Sequence, residues 1–118
     1  MSWEIKGDRP VYTQLLEQIE ARIISGEYPL GSKLPSVREL ASEASVNPNT
    51  MQKALIELEK NELVITQRTA GRFITKDMEK LKMIKEIAAK EHISQFLNNM
   101  KRLGLNKADI ISLLEKYE

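Results

Sequence analysis

The sequence predicts a mostly α-helical chain with one small β-hairpin and a tail of two further helices. Two short helical segments joined by a tight turn lie between Leu34 and Leu55, and two short β-branched segments about a basic turn follow them. An apolar pattern of helical spacing then runs from Met78 to Leu103. Together these observations indicate a winged helix-turn-helix domain at residues 1–76 and a two-helix C-terminal dimerisation tail at residues 77–118.

The composition is that of a small protein with a single aliphatic core. The chain has 118 residues, of which 42% are hydrophobic, and it has no cysteine, which excludes a disulfide framework and a thiolate metal site. No apolar run is long enough to cross a bilayer, and the N-terminal segment lacks the pattern of a secretory signal. We therefore expect a cytoplasmic protein without a membrane partner.

Charge is distributed unevenly along the chain, although the formal net charge is only +1. Neither Asp nor Glu occurs in residues 44–56 or in residues 63–76, whereas 30% of all residues are charged. The second of these windows contains Arg68, Arg72 and Lys76. Because acidic groups repel polyanions, the two windows are the parts of the chain that a nucleic acid can approach.

The first helix is expected from about Val11 to about Ser25. Pro10 stands at its start, where a missing backbone N–H does no harm. Gly26 suits the end of the helix, and residues 27–35, with two prolines and a glycine, predict a loop. The apolar face of the helix consists of Tyr12, Leu15, Leu16, Ile19 and Ile23.

The second and third helices each begin with a capping signal. Ser36 and Glu39 have the spacing of a capping box, which predicts a short helix. After a turn at residues 44–46, Asn47 as N-cap and Pro48 at the first helical position start the third helix. Its expected buried face is Met51, Ala54, Leu55 and Leu58, and its outward face is Asn49, Gln52, Lys53 and Lys60, with Ile56 also outward.

The outward face of the third helix carries side chains that suit DNA. Asn49 and Gln52 are residue types that pair bidentately with adenine, and Lys53 suits guanine or a phosphate. Thr50 can donate a hydrogen bond to a phosphate. The second helix of a helix-turn-helix lies in the major groove, so these four residues are candidate DNA contacts.

Simpler interpretations compete with some of these roles. The helix start at Asn47 and Pro48 presents free backbone N–H groups to a phosphate, but Asn47 is equally explained as a helix cap. Strands are predicted at residues 63–67 and 72–75. The arginines at their turn, Arg68 and Arg72, suit either a wing that contacts DNA or the protection of a strand edge.

The tail is predicted to contain a long helix, ended by Gly104, and a last helix capped by Asn106. Two helices cannot bury broad apolar faces on a small domain alone, and leaving the faces exposed invites aggregation. We therefore expect the tail to pair with that of a second copy in a twofold homodimer. The candidate dimer contacts are Leu81, Ile84, Ile93, Phe96, Leu97 and Met100.

Five ordered blocks of this sequence resemble the DNA-binding domain of GntR-family bacterial transcription regulators. They read PVYTQ, IISG, LPSVRELA, VNPNT and GRFI, and they begin at Pro10, Ile23, Leu34, Val46 and Gly71. The resemblance covers about residues 10–75. The NPNT residues and the short helical tail are similar to the YtrA-like subfamily. That similarity implies a dimerisation tail and a role in controlling neighbouring transporter genes.

The resemblance also implies roles for individual residues. It assigns a phosphate contact to Arg38, which on an isolated helix would be an ordinary solvated residue. It places the start of the recognition helix at residues 47–50, with Gln52 and Lys53 one turn further on. The wing tip falls on residues 68–72, which adds Gly71 to the DNA-binding candidates.

Two positions depart from the family pattern. Pro48 stands where many members have an arginine, so that contact is missing and the base preference should differ. Thr69 stands where the wing usually has a second glycine, which weakens the expectation that the wing enters the minor groove.

These observations predict a homodimeric, sequence-specific DNA-binding transcription regulator. We expect a repressor that binds a pseudo-palindromic operator in double-stranded DNA and controls a transporter operon. The alternative is a protein-interaction module built on a winged helix. No enzyme, cofactor, catalytic residue or metal site is expected, because the sequence has no nucleophile–base pair, phosphate loop or metal-ligand cluster, and His92 stands alone. The operator, target genes, effector and sign of regulation do not follow from the sequence.

Overall fold

The structure is a computed structural model that describes residues 2–117. It is a winged helix-turn-helix followed by two tail helices, as the sequence predicts, and the contacts divide it into two compact units between Leu81 and Lys82. The functional boundary predicted after Lys76 stays a prediction. The elements are α1 (Val11–Ile24), α2 (Val37–Ala44), α3 (Pro48–Lys60), β1 (Val64–Gln67), β2 (Gly71–Ile74), α4 (Met78–Arg102) and α5 (Lys107–Lys116).

The predicted capping signals form the helix starts. At the start of α2, the Glu39 backbone N–H donates to the Ser36 hydroxyl at 3.1 Å, and the Ser36 N–H donates to the Glu39 carboxylate at 3.2 Å. At the start of α3, the Asn47 side-chain oxygen accepts from the Asn49 N–H at 2.7 Å, with Pro48 in the first helical position. Both predictions are confirmed, because these caps involve only residues that are adjacent in sequence.

The turn between α2 and α3 depends on Ser45 in a left-handed conformation, with φ 56° and ψ 47°. The Val46 N–H donates to the Ala41 carbonyl at 3.0 Å, and the Ser45 N–H donates to the Ser42 carbonyl at 3.2 Å. This is a Schellman motif, in which glycine is the usual left-handed residue. Serine there costs about 1–2 kcal/mol relative to glycine, which the two hydrogen bonds offset.

The three helices of the first unit share one aliphatic core beneath the hairpin. Helices α1 and α2 both pack on α3, and the C-terminal end of α3 packs on β1. The buried face predicted for α3 is confirmed. The core side chains, all at most 2% exposed, include Leu15, Ile19, Ile23, Leu34, Leu40, Met51, Ala54, Leu55, Leu58, Leu63, Val64 and Ile74.

The hairpin also pairs with one residue of the predicted loop that precedes α2. Strands β1 and β2 are antiparallel, with Val64 opposite Ile74. On the other edge of β2, Lys33 forms a bridge to Phe73, and the Leu34 N–H donates to the Arg72 carbonyl at 2.9 Å. The prediction of a loop over residues 27–35 is confirmed, apart from the single bridging residue Lys33. Its pairing with Phe73 was missed, because pairing over forty residues leaves no local sequence signal.

The N-terminal arm, residues 2–9, is attached to α1 by side chains that the sequence analysis did not single out. Gln14 accepts from the Lys6 N–H at 2.7 Å and donates to the Lys6 carbonyl at 2.6 Å and the Arg9 carbonyl at 2.9 Å. Gln18 makes the same pair of bonds with Glu4, at 3.0 and 2.6 Å.

This pairing works because two periodicities agree. Two residues of extended chain advance about 6.6 Å, and four residues of α-helix advance about 6.0 Å, so every second arm residue meets every fourth helix residue. The next position in the series is Arg22, whose guanidinium donates to the Ser2 carbonyl at 3.2 Å and lies 3.7 Å from the centre of the Trp3 ring. The side-chain amides of Gln14 and Gln18 thus form the hydrogen bonds to the arm that the backbone of a neighbouring strand would otherwise form.

Gln14→Leu is expected to lower the free energy of unfolding by about 2–3 kcal/mol. Gln14 is only 2% exposed and makes three hydrogen bonds, each with a net contribution of about 1 kcal/mol. Urea unfolding followed by circular dichroism and by Trp3 fluorescence measures the loss. Gln95→Leu on the exposed surface of α4 is the matched control, and equal stability of the two variants would refute the role of Gln14.

The tail begins within the first unit and continues as the second. Asp77 caps the first turn of α4 by accepting from the Lys80 N–H at 3.1 Å, and the Lys80 ammonium pairs with Glu62. In the second unit, Asn106 and Asp109 form a capping box at the start of α5, where Ile110 is 6% exposed. None of the described residues of α4 is buried, so its apolar side chains are available to a partner.

Candidate DNA interface

The recognition helix α3 presents its polar face to solvent. Asn49 and Lys53 are exposed, Thr50 and Gln52 are half-buried, and the opposite face lies in the core. Asn47 and Pro48 at its start are also exposed. The cap role of Asn47 is confirmed by its bond to the Asn49 N–H, whereas a DNA contact by Asn47 stays a prediction.

Lys53 has a partner that sequence reasoning missed. Its ammonium lies 4.0 Å from the centre of the Tyr12 ring, which α1 supplies from its first turn. A cation over an aromatic face is attracted to the negative potential of the ring. The interaction holds the Lys53 ammonium on the α1 side of the helix.

A groove joins the start of α2 to the wing and brings together three of the predicted DNA-binding residues. Arg38 stands on the first turn of α2 and is exposed, while Gly71 and Arg72 approach from β2. Lys33, which the sequence analysis did not select, belongs to the same surface. The lining residues are Lys33, Leu34, Pro35, Ser36, Val37, Arg38, Glu39, Gly71 and Arg72.

Gly71 is required where the wing meets this groove. Its φ is +106°, a conformation that L residues rarely adopt, and a Cβ at this position would lie 3.1 Å from Cε of Lys33. The Lys33 side chain therefore passes directly over the backbone of Gly71. Arg68 lies exposed at the hairpin tip, as the sequence predicts.

Arg72 differs from a freely solvated wing arginine. Its Nε lies 2.5 Å from Oε1 of Glu59 on α3, and the two side chains are 20% and 29% exposed. The sequence contains no signal for this ion pair, because the fold brings together two residues that are 13 positions apart. The structure thus directs the Arg72 guanidinium toward the recognition helix.

A metal-binding cluster and a membrane-spanning helix are both absent from the described part of the chain. Among residues 2–117, no cluster of three or more His, Cys, Asp or Glu side chains is arranged to hold a metal ion. No α-helix in the same range is both long and apolar enough to span a membrane.

A capped helix, a tight turn, a recognition helix with a polar free face and a hairpin with a basic tip define a winged helix-turn-helix DNA-binding protein. Residues 11–74 match the family described as bacterial regulatory proteins, gntR family. The chain belongs to this GntR family. Its members are transcription regulators, which are not enzymes.

Individual relatives match from about two thirds to nearly all of the chain. The HTH-type transcriptional regulator YhcF of Bacillus subtilis is 35% identical over 117 residues, which are 99% of this chain and 97% of YhcF. The HTH-type transcriptional repressor YtrA of the same organism is 38% identical over 87 residues, 69% of this chain and 67% of YtrA. A solved GntR family transcriptional regulator from Listeria monocytogenes is 38% identical, covers 97% of this chain and 100% of its own, and superposes with a TM-score of 0.90. These matches support the YtrA-like subfamily.

Proposed function

We propose that this protein is a homodimeric repressor that binds a pseudo-palindromic DNA operator. The observation that carries the proposal is the free polar face of α3 beside a groove with basic side chains. A helix of this kind fits the major groove, while the groove and wing fit the flanking phosphates. Two copies related by a twofold axis would present the same face to two half-sites.

Each predicted contact residue has a role in this proposal. Asn49 and Gln52 read base edges, with adenine as the favoured partner. Arg38, Thr50 and the backbone at the start of α3 bind phosphates, which position the helix but carry little sequence information. The remaining contacts come from Lys53 and from the wing at Arg68 and Gly71.

The exposed apolar stripe of α4 supports the homodimer. Ile93, Phe96 and Leu97 are 54%, 38% and 40% exposed in the single chain, and Leu81, Ile84 and Met100 are half-buried. Pairing two such stripes removes this apolar surface from water, at about 25 cal/mol per Å². Apolar side chains at helical spacing, in a tail outside the winged helix, are typical of a coiled-coil-like dimer contact.

Repression and a transporter operon are proposed from the relatives. YtrA and NagR of Bacillus subtilis are both named HTH-type transcriptional repressors, and this chain is 38% and 29% identical to them over the aligned parts. The similarity to the YtrA-like subfamily suggests neighbouring transporter genes as targets. The site of action would be the chromosome in the cytoplasm.

Fluorescence anisotropy of the full chain on its own upstream DNA tests the proposal. We expect preference for that DNA over a scrambled duplex, with the logarithm of the affinity falling steeply against the logarithm of salt concentration. Equal binding of the two duplexes would contradict sequence-specific regulation from that site. Failure to bind any DNA in a salt-sensitive way would favour the alternative of a protein-interaction module.

A further inference from the structure

We infer that Arg72 positions the wing against the recognition helix, and that Lys33 instead supplies the cation that the groove presents to a DNA phosphate. This inference rests on the DNA-binding function proposed above. It assigns a role to Lys33 and Glu59, neither of which the sequence analysis selected. It also separates the two wing arginines, since Arg68 remains free at the hairpin tip.

The positive charge of Arg72 is paired within the protein. The contact between Arg72 Nε and Glu59 Oε1 is a charge-assisted hydrogen bond of 2.5 Å between side chains that are mostly buried. A carboxylate this close neutralises the guanidinium and repels an approaching phosphate. Arg72 is therefore poorly suited to bind DNA directly while Glu59 holds it.

The ion pair between Arg72 and Glu59 connects three segments of the first unit. Arg72 lies on β2, which pairs with β1 on one edge and with the Lys33–Leu34 segment on the other. The Arg72 carbonyl accepts from the Leu34 N–H at 2.9 Å, while its side chain reaches α3. Arg72 thus joins the wing, the segment before α2 and the recognition helix at one point.

Lys33 places a second basic side chain in the groove beside Arg38. Lys33 is exposed, lines the same groove as Arg38, and has no acidic side chain paired with it among the described residues. Its side chain crosses Gly71, with Nζ 3.8 Å from the position of the absent Cβ. The glycine therefore makes room for the lysine stem, and Lys33 and Arg38 are the free cations of the groove.

Single substitutions separate the two roles by their salt dependence. One phosphate contact contributes about 0.9 to the slope of log affinity against log salt for B-form DNA. We expect Lys33→Ala to reduce the slope by about 0.9 for each lysine that contacts a phosphate. Arg72→Ala is expected to weaken binding about tenfold with almost no change in slope, because it loosens the wing rather than removing a phosphate contact.

Glu59→Ala gives opposite results under the two interpretations. If Arg72 positions the wing, this substitution weakens binding about as much as Arg72→Ala, and the double variant is no weaker than either single one. If Arg72 contacts phosphate, removal of the carboxylate strengthens binding. Glu57→Ala, which removes an acidic group from the same helix, is the matched control for the general effect of charge.

A charge exchange and a stability cycle complete the test. The double variant with Arg72→Glu and Glu59→Arg should restore much of the affinity that either single change removes. If the alanine variants do not fold, the conservative variants Arg72→Lys and Glu59→Gln test the same ion pair. A double-mutant cycle on thermal unfolding detects the ion pair without DNA. A failure of the proposed DNA-binding function can therefore be distinguished from a failure of the role inferred for Arg72. Tighter binding by Glu59→Ala than by Glu57→Ala would overturn the role of Arg72, and an unchanged slope for Lys33→Ala would overturn that of Lys33.

Discussion

Phe96→Glu is expected to convert the dimer to monomers and to weaken operator binding by a hundredfold or more. The Phe96 ring belongs to the apolar stripe of α4 and is 38% exposed in the single chain. Burying a carboxylate between two tails carries a large desolvation penalty, which the monomer avoids. Since linked binding sites commonly gain 10²- to 10⁴-fold in overall affinity, separation of the two winged helices removes that gain.

Sedimentation equilibrium measures the first effect, and anisotropy on the operator measures the second. The matched control is Gln95→Glu, which adds the same charge at the neighbouring exposed position of α4. We expect this control to remain dimeric and to bind almost as tightly as the unmodified chain. A dimeric Phe96→Glu with undiminished operator affinity would show that the α4 stripe is not the dimer contact.

Asn49→Ala is expected to abolish most of the discrimination between operator and scrambled DNA. A bidentate pair between an amide side chain and adenine contributes about 1–3 kcal/mol of discrimination, or about tenfold to a hundredfold for each half-site. The backbone N–H of Asn49, which bonds Asn47, remains in the alanine variant, so the start of α3 should be preserved. Anisotropy on both duplexes gives the ratio of affinities directly.

Arg38→Ala provides the contrasting result. It should weaken binding to operator and scrambled DNA alike and reduce the salt slope, because phosphates carry no sequence information. Asn98→Ala, at an exposed position of α4, is the control for loss of an asparagine side chain elsewhere. If Asn49→Ala instead lowered both affinities equally, Asn49 would be a phosphate contact and base reading would belong to other residues.

Local signals explain why much of the fold could be predicted from the sequence. The caps at Ser36 and Asn47 involve residues two or three positions apart, and the helix faces follow from the 3.6-residue period. The polar face of α3 followed from the same period. The apolar stripe of α4 was predictable from the same period, and in the structure none of the described residues of that helix is buried.

The interactions that sequence reasoning missed connect distant parts of the chain. Lys33 pairs with Phe73 across forty residues, and Lys53 and Tyr12 meet only because α1 and α3 pack together. Arg72 was recognised as basic, but its proximity to Glu59 depends on how the hairpin lies on α3. Such partners follow from tertiary packing, for which a single sequence gives no periodic signal.

The attachment of the N-terminal arm has a consequence for the way this sequence can vary. Among residues 2–117, the side-chain amides of Gln14 and Gln18 bond only to backbone groups of Lys6, Glu4 and Arg9, so they do not distinguish one arm side chain from another. Evolutionary drift at positions 4 and 6 would therefore leave the attachment intact, whereas loss of either glutamine would not. Among relatives that keep this arm, the glutamines should change more slowly than the residues they hold.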